Sequence, residues 1–366
     1  MRSLEHISPD GQIADLLRRE IVEARVAPAA AAGVAYRTRG GWRYRAGAAG
    51  TRSWQRREVV SLETPFDLAS ITKSLFAFVF ARSCKQGRVE FSSRLSQLLP
   101  VAVGTVAGEQ SCEALLSHRG ALRAHLDLFA PLRDGRPFSR ARAIMRAANA
   151  AREPGVDPTA PIYSDLGYIL LGDALETVTR MPLDEWMRQQ LTQAGIFGIA
   201  SARQLPHLAQ RAAATETVPY RGGEVVGLVH DDNAWALGSS GCCGHAGLFG
   251  DAGSLLRFGT LLVDVYRGAA RQTLSREALL CLTRPRPGGS LRAGFDGKTA
   301  GASSVGTMLG SATFGHLGFT GTSFWCDPES QVVVCLLTNR VCPTRDNSSI
   351  REARPRVHDA LVRLAV

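Results

Sequence analysis

The chain has 366 residues and a mass of 39.3 kDa, with 45% hydrophobic and 21% charged residues. That composition excludes a largely disordered chain, a collagen-like repeat and a long coiled coil, and no apolar run approaches the roughly 18–20 residues of a membrane span. The formal net charge is +10, and of the 43 basic residues only Lys73, Lys85 and Lys298 are lysines.

The first 25 residues hold Glu5, Asp10, Asp15, Glu20 and Glu23 with no apolar stretch between them. This does not resemble a secretory signal, and the expectation is a cytoplasmic chain with no membrane partner. Ile13, Leu16, Leu17 and Ile21 recur at helical spacing and predict one amphipathic helix over 10–25. Apolar residues 29–36, the pair Gly40–Gly41 and residues 42–48 predict a β-hairpin. Residues 75–81, which follow Ser70-Ile71-Thr72-Lys73, are apolar without Gly or Pro and predict a buried helix starting near Ser70. Residues 85–215 are mostly helical patterns broken by loops such as 151–161, and 166–177 leads into a further helix. Residues 313–319, 322–326 and 332–338 then predict consecutive strands, joined at Thr320–Gly321 and at 327–330. An amphipathic helix over 350–364 closes the chain. The predicted class is α+β. An antiparallel sheet flanked by helices is built from 1–80 and 225–366, and 81–224 form an inserted, mostly helical domain.

Residues 37–57 hold seven arginines and no acid, with Trp42, Tyr44 and Trp54 among them. A solvated surface and a surface for an anionic partner both fit this pattern. No nucleic-acid-binding motif accompanies it, so no nucleic-acid partner is expected. The eight cysteines include no C-x-x-C and no zinc-finger spacing, which predicts free thiols and no structural metal. Cys242–Cys243 reads as two small apolar residues in a Gly-rich turn.

Three short patterns could carry chemistry. In Ser70-x-x-Lys73 a helix start would place hydroxyl and amine one turn apart on one face. Serine becomes nucleophilic when a base takes its proton, and lysine can be that base where desolvation lowers its pKa; arginine effectively never deprotonates. In a chain that otherwise prefers arginine, a lysine stands where a removable proton would matter. An N-cap serine beside a surface lysine fits the same four residues. In Tyr163-x-Asp165, a tyrosinate stabilised by a nearby ammonium could act as general base, with Asp165 holding the lysine. A tyrosine packed on its loop and an Asp165 helix cap fit equally. In His316-x-Gly318, at a strand end, a histidine could line a cleft while Gly318 lets substrate lie against the backbone. His118-x-Gly120 and His245-x-Gly247 share that pattern, and only strand context separates His316 from them.

In this order, the three motifs resemble those of the penicillin-recognising serine hydrolases, the superfamily of class C β-lactamases, D,D-peptidases, D-aminopeptidases and β-lactamase-like esterases. The surrounding stretches "FDLASITKSLFAFVFARSCKQGRVEFSSRLSQLLP", "LLSHRG", "YSDLGYILLGDALE", "GHAGLFGDAGSLLRF" and "FGHLGFTGTSFWCDP" are similar to family landmarks over about residues 60–340. The resemblance implies a β-lactamase/transpeptidase-like fold with the active site between the two parts. It implies Ser70 as acylated nucleophile, Lys73 as partner base and Tyr163 as proton carrier. It assigns the oxyanion hole to the backbone N–H groups of Ser70 and Phe319, and substrate contact to Leu317 and Gly318.

Two positions depart from the family pattern. Asp165 stands where class C enzymes usually have Asn, which favours the charged form of Lys73 and makes Tyr163 the better base. His316 stands where β-lactamases and D,D-peptidases usually have Lys, and a mostly neutral histidine gives no fixed cation for a substrate carboxylate. The expected function is hydrolysis of a small ester or amide, an anionic one among the candidates, through an acyl-enzyme without metal or organic cofactor. The alternatives are a D-amino-acid peptidase or amidase, a weak β-lactamase, and a non-catalytic binding protein retaining the fold. The segment His230-Asp231-Asp232-Asn233 also resembles a family stretch; lining the cleft and forming a hydrogen-bonded turn both fit it. The sequence does not give the oligomeric state.

Overall fold

The computed structural model describes residues 7–153, 155–157, 160–238 and 241–365. Glu5 and parts of the predicted loop 151–161 lie outside them. A seven-stranded sheet forms the centre, with strand order Ser8–Pro9, Gly41–Gly50, Ala29–Thr38, Val332–Thr338, Ser323–Asp327, Phe314–Leu317, Asp296–Gly297. All pairings are antiparallel except that of Ser8–Pro9, so the two ends of the chain meet through Ala29–Thr38 and Val332–Thr338. The 29–50 hairpin pairs Thr38 with Gly41, so its two-residue turn is Arg39–Gly40, one position earlier than the glycine pair suggests.

The strands are apolar on both sides because the sheet is covered on both sides. Alternate residues divide accordingly. Ala29, Ala31, Ala35, Val333, Cys335, Leu337 and Phe324 face the core that contains the helix Ile71–Lys85 and the helix Ala252–Tyr266. Ala30, Ala32, Val34, Val334, Leu336 and Trp325 face the helices at the two chain ends, through Ile13, Leu17, Val357 and Leu361. Small residues set the spacing. A Cβ on Gly259 of the Ala252–Tyr266 helix would lie 2.4 Å from the Val333 side chain, closer than packed carbons allow.

The predicted helix over 10–25 is α-helical only over Gly11–Leu17, where Asp10 caps it, and widens into a π-helical segment over Arg18–Glu23. Ile21 is fully buried, and its carbonyl accepts from Val26 five residues on, so the last turn is wider than the helical periodicity implied. The closing helix spans Ile350–Arg363 and carries Pro355 inside it. No helix among the described residues is long and apolar enough to cross a membrane.

Candidate active site

Ser70 precedes a helix that is buried on every side, from Ile71 to Ser83. It is approached through Ala69, a non-glycine residue at φ 46°. Such a left-handed residue is costly unless its surroundings fix it. Here the Ala69 N–H donates to Asp67 Oδ1 at 2.8 Å, while Asp67 Oδ2 accepts from the His230 N–H at 2.7 Å. The Ser70 side chain makes no capping bond. Its Oγ instead accepts from Lys73 Nζ at 2.9 Å, and Lys73 is fully buried. The N-cap serine and surface lysine that the pattern also allowed are therefore not what the chain forms.

Lys73 Nζ also meets Asp165 Oδ1 at 2.8 Å and the His245 carbonyl at 3.3 Å. Asp165 does not cap its own helix; Ser164 holds the cap position. Tyr163 shares hydrogen bonds with Lys73 and Ser70, and the ammonium lies 4.9 Å from its ring centroid. Burial disfavours the Lys73 ammonium, but the Asp165 charge and the Tyr163 hydroxyl outweigh it and raise the pKa. Burial likewise works against the Asp165 carboxylate, yet Lys73 holds it well below the usual range. Tyr163 is pushed up by burial, which the attraction of Lys73 only partly offsets. The resting site is thus an ammonium, a carboxylate and a phenol. The ammonium is the form that Asp165 in the pattern favoured, and neither an amine freed by desolvation nor a resting tyrosinate, the forms the residue types also permitted, describes it.

His316 lies on the strand Phe314–Leu317, buried, with its ring centroid 6.0 Å from that of Tyr163. Burial and the Lys73 charge push its pKa down to about 4, so it is neutral. Leu317 departs from expectation: alternation along the strand turns its side chain to the opposite sheet face, against the terminal helices. Only its backbone is near the site, the carbonyl meeting His316 Nδ1 at 2.6 Å. The turn after this strand is tied to the segment before Ser70: Thr320 Oγ1 donates to the Asp67 carbonyl at 2.7 Å, and Thr322 Oγ1 to the Leu68 carbonyl at 3.2 Å. A Cβ on Gly318 would meet Thr322 Oγ1 at 1.9 Å and the Leu68 carbonyl at 2.7 Å, which explains the glycine. Among the described residues the N–H groups of Ser70 and Phe319 donate to no backbone carbonyl, although those of Ile71, Lys73 and Gly318 do. Phe319 itself is half exposed and lies under the Arg340 guanidinium, whose Nε donates to the Phe319 carbonyl at 2.8 Å.

Residues that the sequence patterns did not select stand directly behind these. His118 Nδ1 accepts from the Ser164 N–H at 3.0 Å, and its ring stacks on Tyr163 at 4.6 Å. Burial pushes its pKa down to about 3, which keeps the acceptor nitrogen unprotonated. His245 offers its carbonyl to Lys73 and its Nε2 to Asp231 Oδ1 at 2.8 Å. The three H-x-G histidines therefore all border one site, and strand context was no criterion for choosing among them. In the 230–233 segment, Asp231 caps the helix Asp232–Leu237, and Asn233 binds the backbone of Leu126, Leu128 and Phe129. The segment is a hydrogen-bonded turn one step behind Lys73.

The arginine-rich stretch is spent only in part within the chain, and Arg37, Arg39, Arg43 and Arg57 stay exposed. Trp42 and Tyr44 are buried. Arg45 pairs with Asp10, Arg56 with Glu224, and Arg52 binds the carbonyls of Ala209, Gln210 and Ala212. All eight cysteines are free, and burial pushes the Cys242 and Cys243 thiols well up. Among the described residues no cluster of three His, Cys, Asp or Glu side chains could hold a metal.

Comparison with known proteins adds the lineage. A Bacillus subtilis (strain 168) N-acetylmuramyl-L-alanine amidase is 27% identical over 321 residues, 80% of this chain and 71% of that protein. An Escherichia coli (strain K12) protein named "Putative D-alanyl-D-alanine carboxypeptidase" is 26% identical over 307 residues, 76% of this chain and 69% of its own length. The structure of D-amino acid amidase from Ochrobactrum anthropi SV3 superposes with a TM-score of 0.70 at 17% identity, covering 97% of this chain and 98% of that one. The Beta-lactamase family model matches residues 18–358, and the chain belongs to that family of hydrolases.

Proposed function

We propose that the protein hydrolyses a small ester or amide through an acyl-enzyme on Ser70. The observation that carries this reading is the sealed lysine: a fully buried ammonium with Ser70 Oγ at 2.9 Å and Asp165 at 2.8 Å. The Lys73–Tyr163 pair first gives up one proton. Ser70 Oγ then attacks the carbonyl carbon as its proton passes to the pair, and the pair returns that proton to the leaving oxygen or nitrogen. The carbonyl oxygen takes up negative charge between the N–H groups of Ser70 and Phe319. Water repeats the sequence on the acyl-enzyme, and Ser70 leaves with its proton restored. His118 keeps Tyr163 in place by its stack and by the bond to Ser164.

A neutral His316 supplies no fixed positive charge for a substrate carboxylate, which favours esters and amides over β-lactams. A D-amino-acid amidase or peptidase forms the second reading, favoured by relatives named as an amidase and a carboxypeptidase. A panel of p-nitrophenyl esters, D-aminoacyl p-nitroanilides and nitrocefin, run with wild type and Ser70→Ala, tests both. Turnover of esters or anilides ahead of nitrocefin, lost in Ser70→Ala, is expected. Full turnover by Ser70→Ala would overturn the mechanism, and nitrocefin as the best substrate would overturn the substrate class.

A further inference from the structure

Asp165 has two carboxylate oxygens and two partners. Oδ1 meets Lys73 Nζ at 2.8 Å, and Oδ2 faces His125 Nδ1 at 3.6 Å. The partners differ in access to solvent, Lys73 being fully buried and His125 44% exposed. The loop that carries His125 is fixed to the same place, because the Asp165 N–H donates to the Ala124 carbonyl at 3.1 Å.

The charged groups around the imidazole are few. Asp165 faces it from its helix, with Lys73 behind. Asp127 on its own loop lies 3.4 Å from Nε2, and Arg133 lies 3.6 Å from that carboxylate. Asp231 faces it from the third side and is itself tied to His245. The Asp165 carboxylate is the largest of the influences that raise the proton affinity of His125.

We propose that His125 is a positioning residue of the site, sharing the Asp165 carboxylate with Lys73 and loosening its hold on the ammonium whenever the imidazole is protonated. With a neutral imidazole the Asp165 charge serves Lys73 alone, and the Lys73–Tyr163 pair keeps its proton. With an imidazolium the same charge is divided, and the pair releases a proton to solvent more readily. The proposal rests on Lys73 and Tyr163 acting on Ser70.

Coupling of this kind is reciprocal and can be read from either end. The first readout is independent of activity: imidazole Cε1–H titrations by NMR in wild type, Lys73→Met and Asp165→Asn. Loss of Lys73 should raise the His125 pKa by about one unit, and loss of the Asp165 charge should lower it by about as much. The second is the rate of Ser70 labelling by a fluorophosphonate against pH in wild type and His125→Gln. Wild type should label about tenfold faster below the His125 titration, and the rates should converge above it. A merely structural role would give a ratio that does not change with pH. An unchanged His125 titration in Lys73→Met, or a pH-independent labelling ratio, overturns the proposal. If Lys73→Met does not fold, the half-exposed His125→Gln decides alone. Coupled titrations without any Ser70 labelling would uphold the sharing of Asp165 and refute the nucleophile assignment instead.

Discussion

Asp165→Asn isolates the electrostatics of the site, because it removes a charge and keeps the shape. The carboxylate lies 2.8 Å from Lys73 Nζ, an attraction of about 6 kcal/mol at an effective dielectric constant of about 20. An amide oxygen in its place still accepts a hydrogen bond from the ammonium, which recovers about 1.5–3 kcal/mol. The remaining loss of about 3–4.5 kcal/mol corresponds to a proton affinity lower by about 2–3 pH units. Asp165 also raises the Tyr163 pKa, so whichever member of the pair gives up its proton does so at lower pH. The assay is Ser70 labelling by a fluorophosphonate between pH 5 and about 10. At neutral pH the variant should label about 100-fold faster, if it stays folded.

Stability supplies a control. Removing one partner of a buried ion pair costs about 3–5 kcal/mol. The Asp165 pKa is depressed in the folded protein, so its stabilisation is complete above the unfolded value of 3.8 and erodes as pH falls below it. The stability gap between wild type and Asp165→Asn should therefore narrow in strong acid. A labelling profile that stays where it is, or moves to higher pH, would refute the assignment of Asp165 as the group that holds the proton on the pair.

Two other substitutions separate roles within the site. Lys73→Arg keeps the positive charge but not the transferable proton, and should abolish acylation; near-wild-type labelling would contradict the base assignment. His118→Phe keeps a ring against Tyr163 and leaves the Ser164 N–H without its acceptor. Stability should fall by about 1–3 kcal/mol, and kcat should fall more than the substrate KM rises. A change confined to KM would mean that His118 does not position Tyr163.

Much of this architecture was legible in local pattern. The buried helix after Ser70, the strand Val332–Thr338 and the hairpin follow from periodicity and glycine placement over a few residues. The three-motif resemblance led to the lysine, the tyrosine and the carboxylate that the fold brings together. His118 and His245 remained obscure because each is far in sequence from the group it supports, and a two-residue H-x-G pattern cannot report a contact made through the fold. The strand itself held the cue about Leu317, since neighbours along a strand face opposite ways and His316 already faced the cleft. Protonation states were the least legible. Residue types permitted a neutral lysine or a tyrosinate; the aspartate at 165 already favoured an ammonium, and its 2.8 Å contact with Lys73 selects the charged pair.

The most direct test of the account is intact-protein and peptide mass spectrometry after brief exposure to a p-nitrophenyl ester or a fluorophosphonate. Wild type should gain one adduct, on the peptide that contains Ser70, and Ser70→Ala should gain none. An adduct on another residue, or turnover without any adduct on Ser70, would contradict the central claim.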